Sequence, residues 1–319
     1  MRRVAASLAA VLVFGLTACD EDGAEPGASR EATLVLDFQP NAVHAGIYTA
    51  LAEGLYADRG VNLEVREPAA STDAPKLLAA GRADFAILDI HDLGIARERG
   101  LGIVGIAPIV QRPLAAVIAG DRDAVRRPRD LEGGTVGVTG LPSDEAVLDS
   151  VLEADGADPD AVKRVTIGFD SVAALSAGKV DAATAFWNAE GVTLQGVGVP
   201  TRNFRVDDFG APRYPELVLC VDRSTADDDD ALVDDVVEAT AAGYEDVVDD
   251  PEAGLSDLIA GAHGLDRDEQ QAQLTALLDA GAFSPPGELD HEALAEWARW
   301  DARFGIVEEE PEVDDAFAR

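Results

Sequence analysis

At 319 residues the chain exceeds what one hydrophobic core normally organises, so two units of roughly 100 to 150 residues are expected. Its 61 acidic residues against 25 basic ones leave a formal net charge of -36, a surface that repels phosphate backbones and excludes nucleic acid as a partner. Solubility or adaptation to salt accounts for such acidity without invoking a partner.

Residues 1–18 read as an export signal. Arg2 and Arg3 supply a basic start, and residues 4–14 an apolar run too short to span a bilayer. Leu16-Thr17-Ala18-Cys19 resembles a bacterial lipobox, which implies cleavage before Cys19 and lipidation of that cysteine. Stable anchoring takes more than one acyl chain. An ordinary secretory signal with a coincidental cysteine is the competing reading. Residues 19–30 then form a charged, Gly/Pro-containing tether without periodicity.

Residues 33–38 alternate as a strand covered on both faces, and Pro40 forces a turn. A helix over 45–52, a left-handed Gly60 and a strand over 61–65 follow. Asp37, Asn41 and His44 thereby fall at the carboxyl end of the first strand, where open α/β sheets bind ligands. Ser71 or Thr72 caps a helix over 73–80 that Gly81 stops. A strand over 83–88, a helix over 89–98 closed by Gly100, and an apolar strand over 101–110 come next. This alternation implies βαβ units around a parallel sheet.

Charged residues 121–130, with Pro128, mark a connection leaving the first unit. A strand and glycine loop precede a helix over 143–153, whose first turn carries Asp144 and Glu145 where the macrodipole favours acids. A strand over 165–169 and a helix over 171–177 end at Gly178. LLAAGRADFAI (Leu77–Ile87) and ALSAGKVDAAT (Ala174–Thr184) share a helix, a glycine stop, a basic residue, an aspartate and a strand, which implies two lobes of similar build. PELVLCV reads as a strand returning to the first lobe, with Cys220 as a buried small hydrophobe. Beyond Ser224 the pattern is helical. Leu232, Val233, Val236, Val237, Tyr244 and Val247 form one stripe, residues 227–230 a solvated cap, and helices over 266–280 and 290–304 finish the chain with Trp297 and Trp300 in the core.

DFQPNAVHAGIY (Asp37–Tyr48) resembles the DWxPNxxHxGxY opening of the NMT/THI-like family of periplasmic-type solute-binding proteins, with Phe38 where Trp is usual. AFWNAEG (Ala185–Gly191) is similar to that family's Y-W/Y-N-x-E segment, and GVTGLPSDEAVL and FGAPRYPELVL match it in order. The resemblance runs from about Thr33 to Val221. It implies an α/β, periplasmic-binding-protein-like type II fold, with residues 31–118 plus 219–319 as lobe one and 119–218 as lobe two. Members serve ABC importers of thiamine pyrimidine precursors, and relatives bind riboflavin. The candidate ligand-binding residues are Asp37, Phe38, Asn41, His44, Tyr48, Asp89, Phe186, Trp187, Glu190 and Tyr214. An aminopyrimidine would stack on Trp187, Phe186 or Phe38. Glu190 would pair with its amidine-like edge, and Asp37 or Asp89 with Asn41 would serve the remaining polar groups. Plainer readings stand beside these: Glu190 as a helix acid, Trp187 as core, His44 as a structural hydrogen bond.

The eukaryotic branch of the family makes the pyrimidine phosphate itself, through a Schiff-base lysine, a histidine and a Cys-rich iron segment. Here Leu88 stands where that lysine would align, only Lys76, Lys163 and Lys179 exist, and no Cys cluster is present. Hydrolase elbows, P-loops and zinc motifs are absent, and His44, His91, His263 and His291 are scattered. The expectation is therefore a monomeric binding protein without catalysis, cofactor or metal. It is held at the extracytoplasmic face of the cell membrane through Cys19 and delivers a hydroxymethyl- or formylaminomethyl-pyrimidine to an ABC permease. Another flat heterocycle such as riboflavin, or a small sulfonate- or nitrate-type anion, is the alternative. An anion would call for basic or helix-N-terminal donors, whereas the cleft segments supply acids and aromatics.

Overall fold

The computed structural model describes residues 29–69, 73–120 and 125–318. The export signal, Cys19, most of the tether, the cap at Ser71 or Thr72 and residues 121–124 of the charged connection lie outside the described residues. The chain opens with β1 (Arg30–Val35), α1 (Ala45–Ala52), β2 (Val61–Arg66), α2 (Ala74–Ala79), β3 (Phe85–Asp89), α3 (Ile90–Glu98) and β4 (Ile103–Val110). Next come β5 (Ala115–Gly120), β6 (Thr135–Val138), α4 (Pro142–Ala154), β7 (Lys163–Thr166), α5 (Ser171–Ser176), β8 (Ala182–Phe186), α6 (Glu190–Gly196) and β9 (Thr201–Arg205). Beyond β10 (Leu217–Asp222) the chain is helical: α7 (Arg223–Asp228), α8 (Asp230–Asp249), α9 (Pro251–Gly261), α10 (Arg267–Asp279), α11 (His291–Arg303) and α12 (Val313–Ala316).

Two five-stranded sheets result, in the orders β2-β1-β3-β10-β4 and β7-β6-β8-β5-β9. In each, three strands pair in parallel and one antiparallel strand is inserted at the same place: β10 between β3 and β4, β5 between β8 and β9. Each inserted strand follows a passage of the chain from the other sheet, so the two lobes exchange one strand apiece. This is the type II periplasmic-binding arrangement that the resemblance implied.

The repeated motif has a physical basis. Gly81 and Gly178 stop α2 and α5 at φ of 61° and 63°, a left-handed turn that L side chains resist. Asp84 then accepts a hydrogen bond from the Thr33 amide at 2.8 Å, and Asp181 accepts the matching bond from the Thr135 amide at 2.9 Å. In both lobes the aspartate therefore ties the central strand to its neighbour.

Several expectations shift. The first crossing occupies residues 111–114, so the expected boundary after 118 falls inside β5, a strand of the second sheet. The apolar run across residues 101–119 hid this break, which only Gln111, Arg112 and Pro113 mark. The return boundary at 218/219 likewise falls inside β10. β1 ends at Val35 rather than 38, with the Leu36 amide still donating to the Arg66 carbonyl at 3.0 Å, and this frees residues 37–41 to turn. β7 stops at Thr166, which leaves Phe169 on a loop instead of a strand. Cys220, Trp297 and Trp300 are buried, and Asp229 caps α8 by accepting from the Leu232 amide.

α1 and α8 approach closely because both carry glycine at the contact. A Cβ on Gly243 would lie 2.1 Å from the Gly46 carbonyl oxygen, and one on Gly46 would lie 2.4 Å from the Tyr244 ring. Gly243→Ala, whose Cβ meets backbone rather than a flexible side chain, should therefore destabilise the protein by about 2–3 kcal/mol through overpacking. That would outweigh the roughly 1 kcal/mol alanine contributes as the better helix former. An unchanged or raised urea midpoint would show that the helices do not meet this way.

Candidate functional site

Between the sheets lies a cavity of about 440 Å³, the size of a small-ligand site. Its first wall is the turn after β1. His44, fully buried, faces Asp37 with Nε2 at 2.8 Å and receives the Asn41 amide on Nδ1 at 3.2 Å. The amide fixes Nδ1 as the acceptor, so the ring proton sits on Nε2 and is donated to the Asp37 carboxylate. Asn41 caps the following turn through the Val43 amide. Tyr244 donates to the Val43 carbonyl at 2.7 Å, which ties the turn to α8.

The mouth is aromatic. Phe38 is 43% exposed and Phe169 60%, and their rings lie 6.2 Å apart at 36°. One ring comes from each lobe. Gly168, at φ 57°, turns the loop that presents Phe169. Phe186 lines the cavity from the end of β8, and Glu190 lines it from the first turn of α6. One oxygen of Glu190 accepts the Phe186 amide at 3.0 Å. Burial raises its carboxyl above the usual range, against the opposing effect of its own and the Phe186 amides.

The floor is a buried acid cluster. Asp89 caps α3 through the His91 amide at 2.8 Å, and Glu216 accepts the Leu114 amide at 2.6 Å. Glu216 thus clamps one crossing segment to the other. Burial pushes both carboxyls up, Asp89 to about 8. Asp92 is raised to about 7 by burial and by the Asp89 charge. Burial disfavours a charged His91, but Asp301 at its Nδ1, with Asp89 and Glu216, outweighs this and pushes it up to about 10. Asp89, His91 and Glu216 bring donor atoms within 4.8 Å of one another. Both imidazole nitrogens are engaged, however, Nδ1 by Asp301 at 2.8 Å and Nε2 by Tyr214 at 3.2 Å, and no ring lone pair is left for a metal.

Of the expected site residues, Asp37, Phe38, Asn41, Asp89, Phe186 and Glu190 line the cavity. Four do not. His44 sits behind the turn that it pins, and Tyr48 is buried against Gly261. Tyr214 is buried beside His91. Trp187 corrects the sharpest expectation. Its indole donates to the Pro113 carbonyl at 3.0 Å and lies under the Arg205 guanidinium, 3.9 Å from the ring centroid, so it anchors the crossing segment and offers no face to a ligand. Sequence reasoning missed Phe169, assigned to a strand, and Glu216, read as part of an apolar strand. It also missed Gln270 and Gln273, polar residues on the buried side of α10. Their place on the buried face beside Leu274 and Leu277 was the available signal.

Residues 41–254 match the family described as NMT1/THI5 like. The chain is 29% identical to the formylaminopyrimidine-binding protein of Halalkalibacterium halodurans over 98% of its own length and 97% of that protein's. It is 25% identical to the 4-amino-5-hydroxymethyl-2-methylpyrimidine phosphate synthase of Legionella pneumophila over 56% of each chain. Among solved structures, the periplasmic aliphatic sulphonate binding protein SsuA of Escherichia coli superposes with a TM-score of 0.75 at 15% identity, covering 91% of this chain and 92% of that one. At that identity the likeness speaks for the fold alone.

The acid floor makes stability depend on pH. Asp89 is raised from 3.8 to about 8, so the folded state holds a proton that the unfolded chain releases, and stability falls as pH rises through that window. His91, raised from 6.5 to about 10, extends the same trend upward. Asp89→Asn carries no titrating proton. Its urea stability relative to the wild type should improve steadily from pH 4 to pH 8 at fixed ionic strength. A difference independent of pH would mean that Asp89 is charged in the native protein.

Proposed function

The chain belongs to the NMT1/THI5-like family, and from that premise we propose that it is the solute-binding component of an ABC importer, taking a thiamine pyrimidine precursor of the formylaminopyrimidine type between its lobes. The observation that carries this reading is the chemistry of the cavity: aromatic rings from both lobes and eight acidic side chains, with neither lysine nor arginine among the described lining residues. A flat, weakly basic ring suits such a lining, and an anion does not.

The ring stacks between Phe38 and Phe169, which stand 6.2 Å apart at 36° and must part to about 7 Å to admit it, each face contributing about 0.5–1.5 kcal/mol beyond area burial. Glu190 takes the edge formed by a ring nitrogen and the neighbouring amine, with two N–H···O bonds when the nitrogen holds a proton. Burial raises the Glu190 carboxyl, which favours its sharing a proton with a weakly basic ring nitrogen. Ligand contacts with both lobes favour the closed form, which is the signal read by the permease. The reading involves no covalent step, and what supports it is that no lysine is among the described residues lining the cavity. The protein acts as a monomer on the extracytoplasmic face, tethered through lipidated Cys19.

Titration calorimetry on the soluble form from residue 20 onward tests this. The wild type should bind formylaminomethyl-aminopyrimidine, and Glu190→Gln should lose about 10- to 100-fold in affinity, as expected for one charge-assisted bond worth roughly 1.5–3 kcal/mol. Trp187→Phe should lower stability while leaving affinity within about threefold. No binding by the wild type, or full affinity in Glu190→Gln, contradicts the reading.

A further inference from the structure

Two side chains in the cavity wall carry buried amide oxygens without a hydrogen-bond partner. They are Gln270 and Gln273 of α10, 5% and 4% exposed. A buried carbonyl left unpaired costs about 1–3 kcal/mol, so two adjacent ones on a single helix face are costly to the empty protein. Both occupy positions where the stripe of α10, through Leu274 and Leu277, would otherwise place an apolar residue. Asn188, two residues before Glu190, is in the same condition. A carboxamide swings about a broad terminal torsion, so each of these groups can turn either its oxygen or its NH₂ toward a partner in the cavity.

The position of α10 indicates which part of a ligand they would meet. Glu269, also on the cavity wall, bonds to Thr193 of α6, so α10 of the first lobe reaches across to the helix whose first residue is Glu190. On the pyrimidine the exocyclic amine and the aminomethyl arm occupy neighbouring ring carbons. With the amine edge on Glu190, the arm points toward groups beside it. We infer that Gln270 and Gln273 are the specificity determinants of this site, reading the formamide at the end of that arm. The inference rests on the pyrimidine-binding function proposed above. A formamide offers one N–H and one C=O, the complement of a carboxamide, and satisfies both. A hydroxymethyl group is shorter and offers one oxygen. The site therefore discriminates between formylated and hydroxymethyl precursors through partners that stay unpaired unless the longer ligand is present.

Calorimetry with both compounds on the wild type, Gln270→Leu and Gln273→Leu tests this, with thermal melting of each unliganded protein alongside. The leucine variants keep side-chain volume and remove the unpaired oxygens, so their melting temperatures should be equal to or above that of the wild type. Their affinity for the formylaminomethyl compound should fall about 10- to 100-fold, while that for the hydroxymethyl compound changes less than threefold. Equal losses for both compounds, no loss for either, or destabilised variants would overturn the assignment, since the last result would make the glutamines structural. A wild type that binds neither compound would instead refute the underlying function, and the inference with it.

Discussion

The geometry of the cleft depends on one buried imidazole. His44 touches no part of the cavity, yet it holds Asp37 by Nε2 and the Asn41 amide by Nδ1, and so bends the segment that presents Phe38. The residues around it serve the same turn. Gly46 makes room for the Tyr244 ring, Tyr244 holds the Val43 carbonyl, and Tyr48 packs on Gly261. A motif that resembles a ligand signature is thus largely a scaffold, with Asp37, Phe38 and Asn41 as the part that faces the cavity. An unpinned turn would leave those groups mobile, and a binding surface that must be ordered by its ligand binds less tightly.

A second scaffold joins the lobes. The crossing segment at residues 111–114 is held by the Trp187 indole at Pro113, by Glu216 at the Leu114 amide, and by Arg112, which pairs with Asp207 and donates to the Ala280 carbonyl. Glu216 belongs to the return segment and also to the cavity floor, where it neighbours Asp89. The carboxyl that ties the two crossings together is therefore within reach of whatever occupies the cleft. Ligand chemistry and the setting of the lobes meet at a single buried side chain.

Much of this was legible in the sequence where local patterns coincide with tertiary demands. The glycine stops at Gly60, Gly81 and Gly178, the stripe of α8 and the echo between the lobes each reflect a backbone or packing requirement that acts locally. Asp37, Phe38, Asn41, Asp89 and Glu190 line the cavity because strand ends in βα units face the cleft. What failed was information held between distant segments. Nothing local separates a tryptophan under a ligand from one under Arg205, and the exchange of β5 between sheets leaves only a short polar interruption in an apolar run. Phe169 was misplaced because β7 ends at Thr166, three residues before the expected strand end, and Gly168 turns the chain. Gln270 and Gln273 became visible only once burial showed which face of α10 they share.

The central claim is that a planar aminopyrimidine lies between the lobes with its amine edge on Glu190 and its faces against Phe38 and Phe169. A crystal structure of the protein with formylaminomethyl-aminopyrimidine tests it most directly. The account predicts the ring between those two phenylalanines, with its amine and adjacent nitrogen at hydrogen-bond distance from the Glu190 carboxylate. A ligand seated outside the cleft, or one inside it with that carboxylate facing away from the ring, would contradict the account.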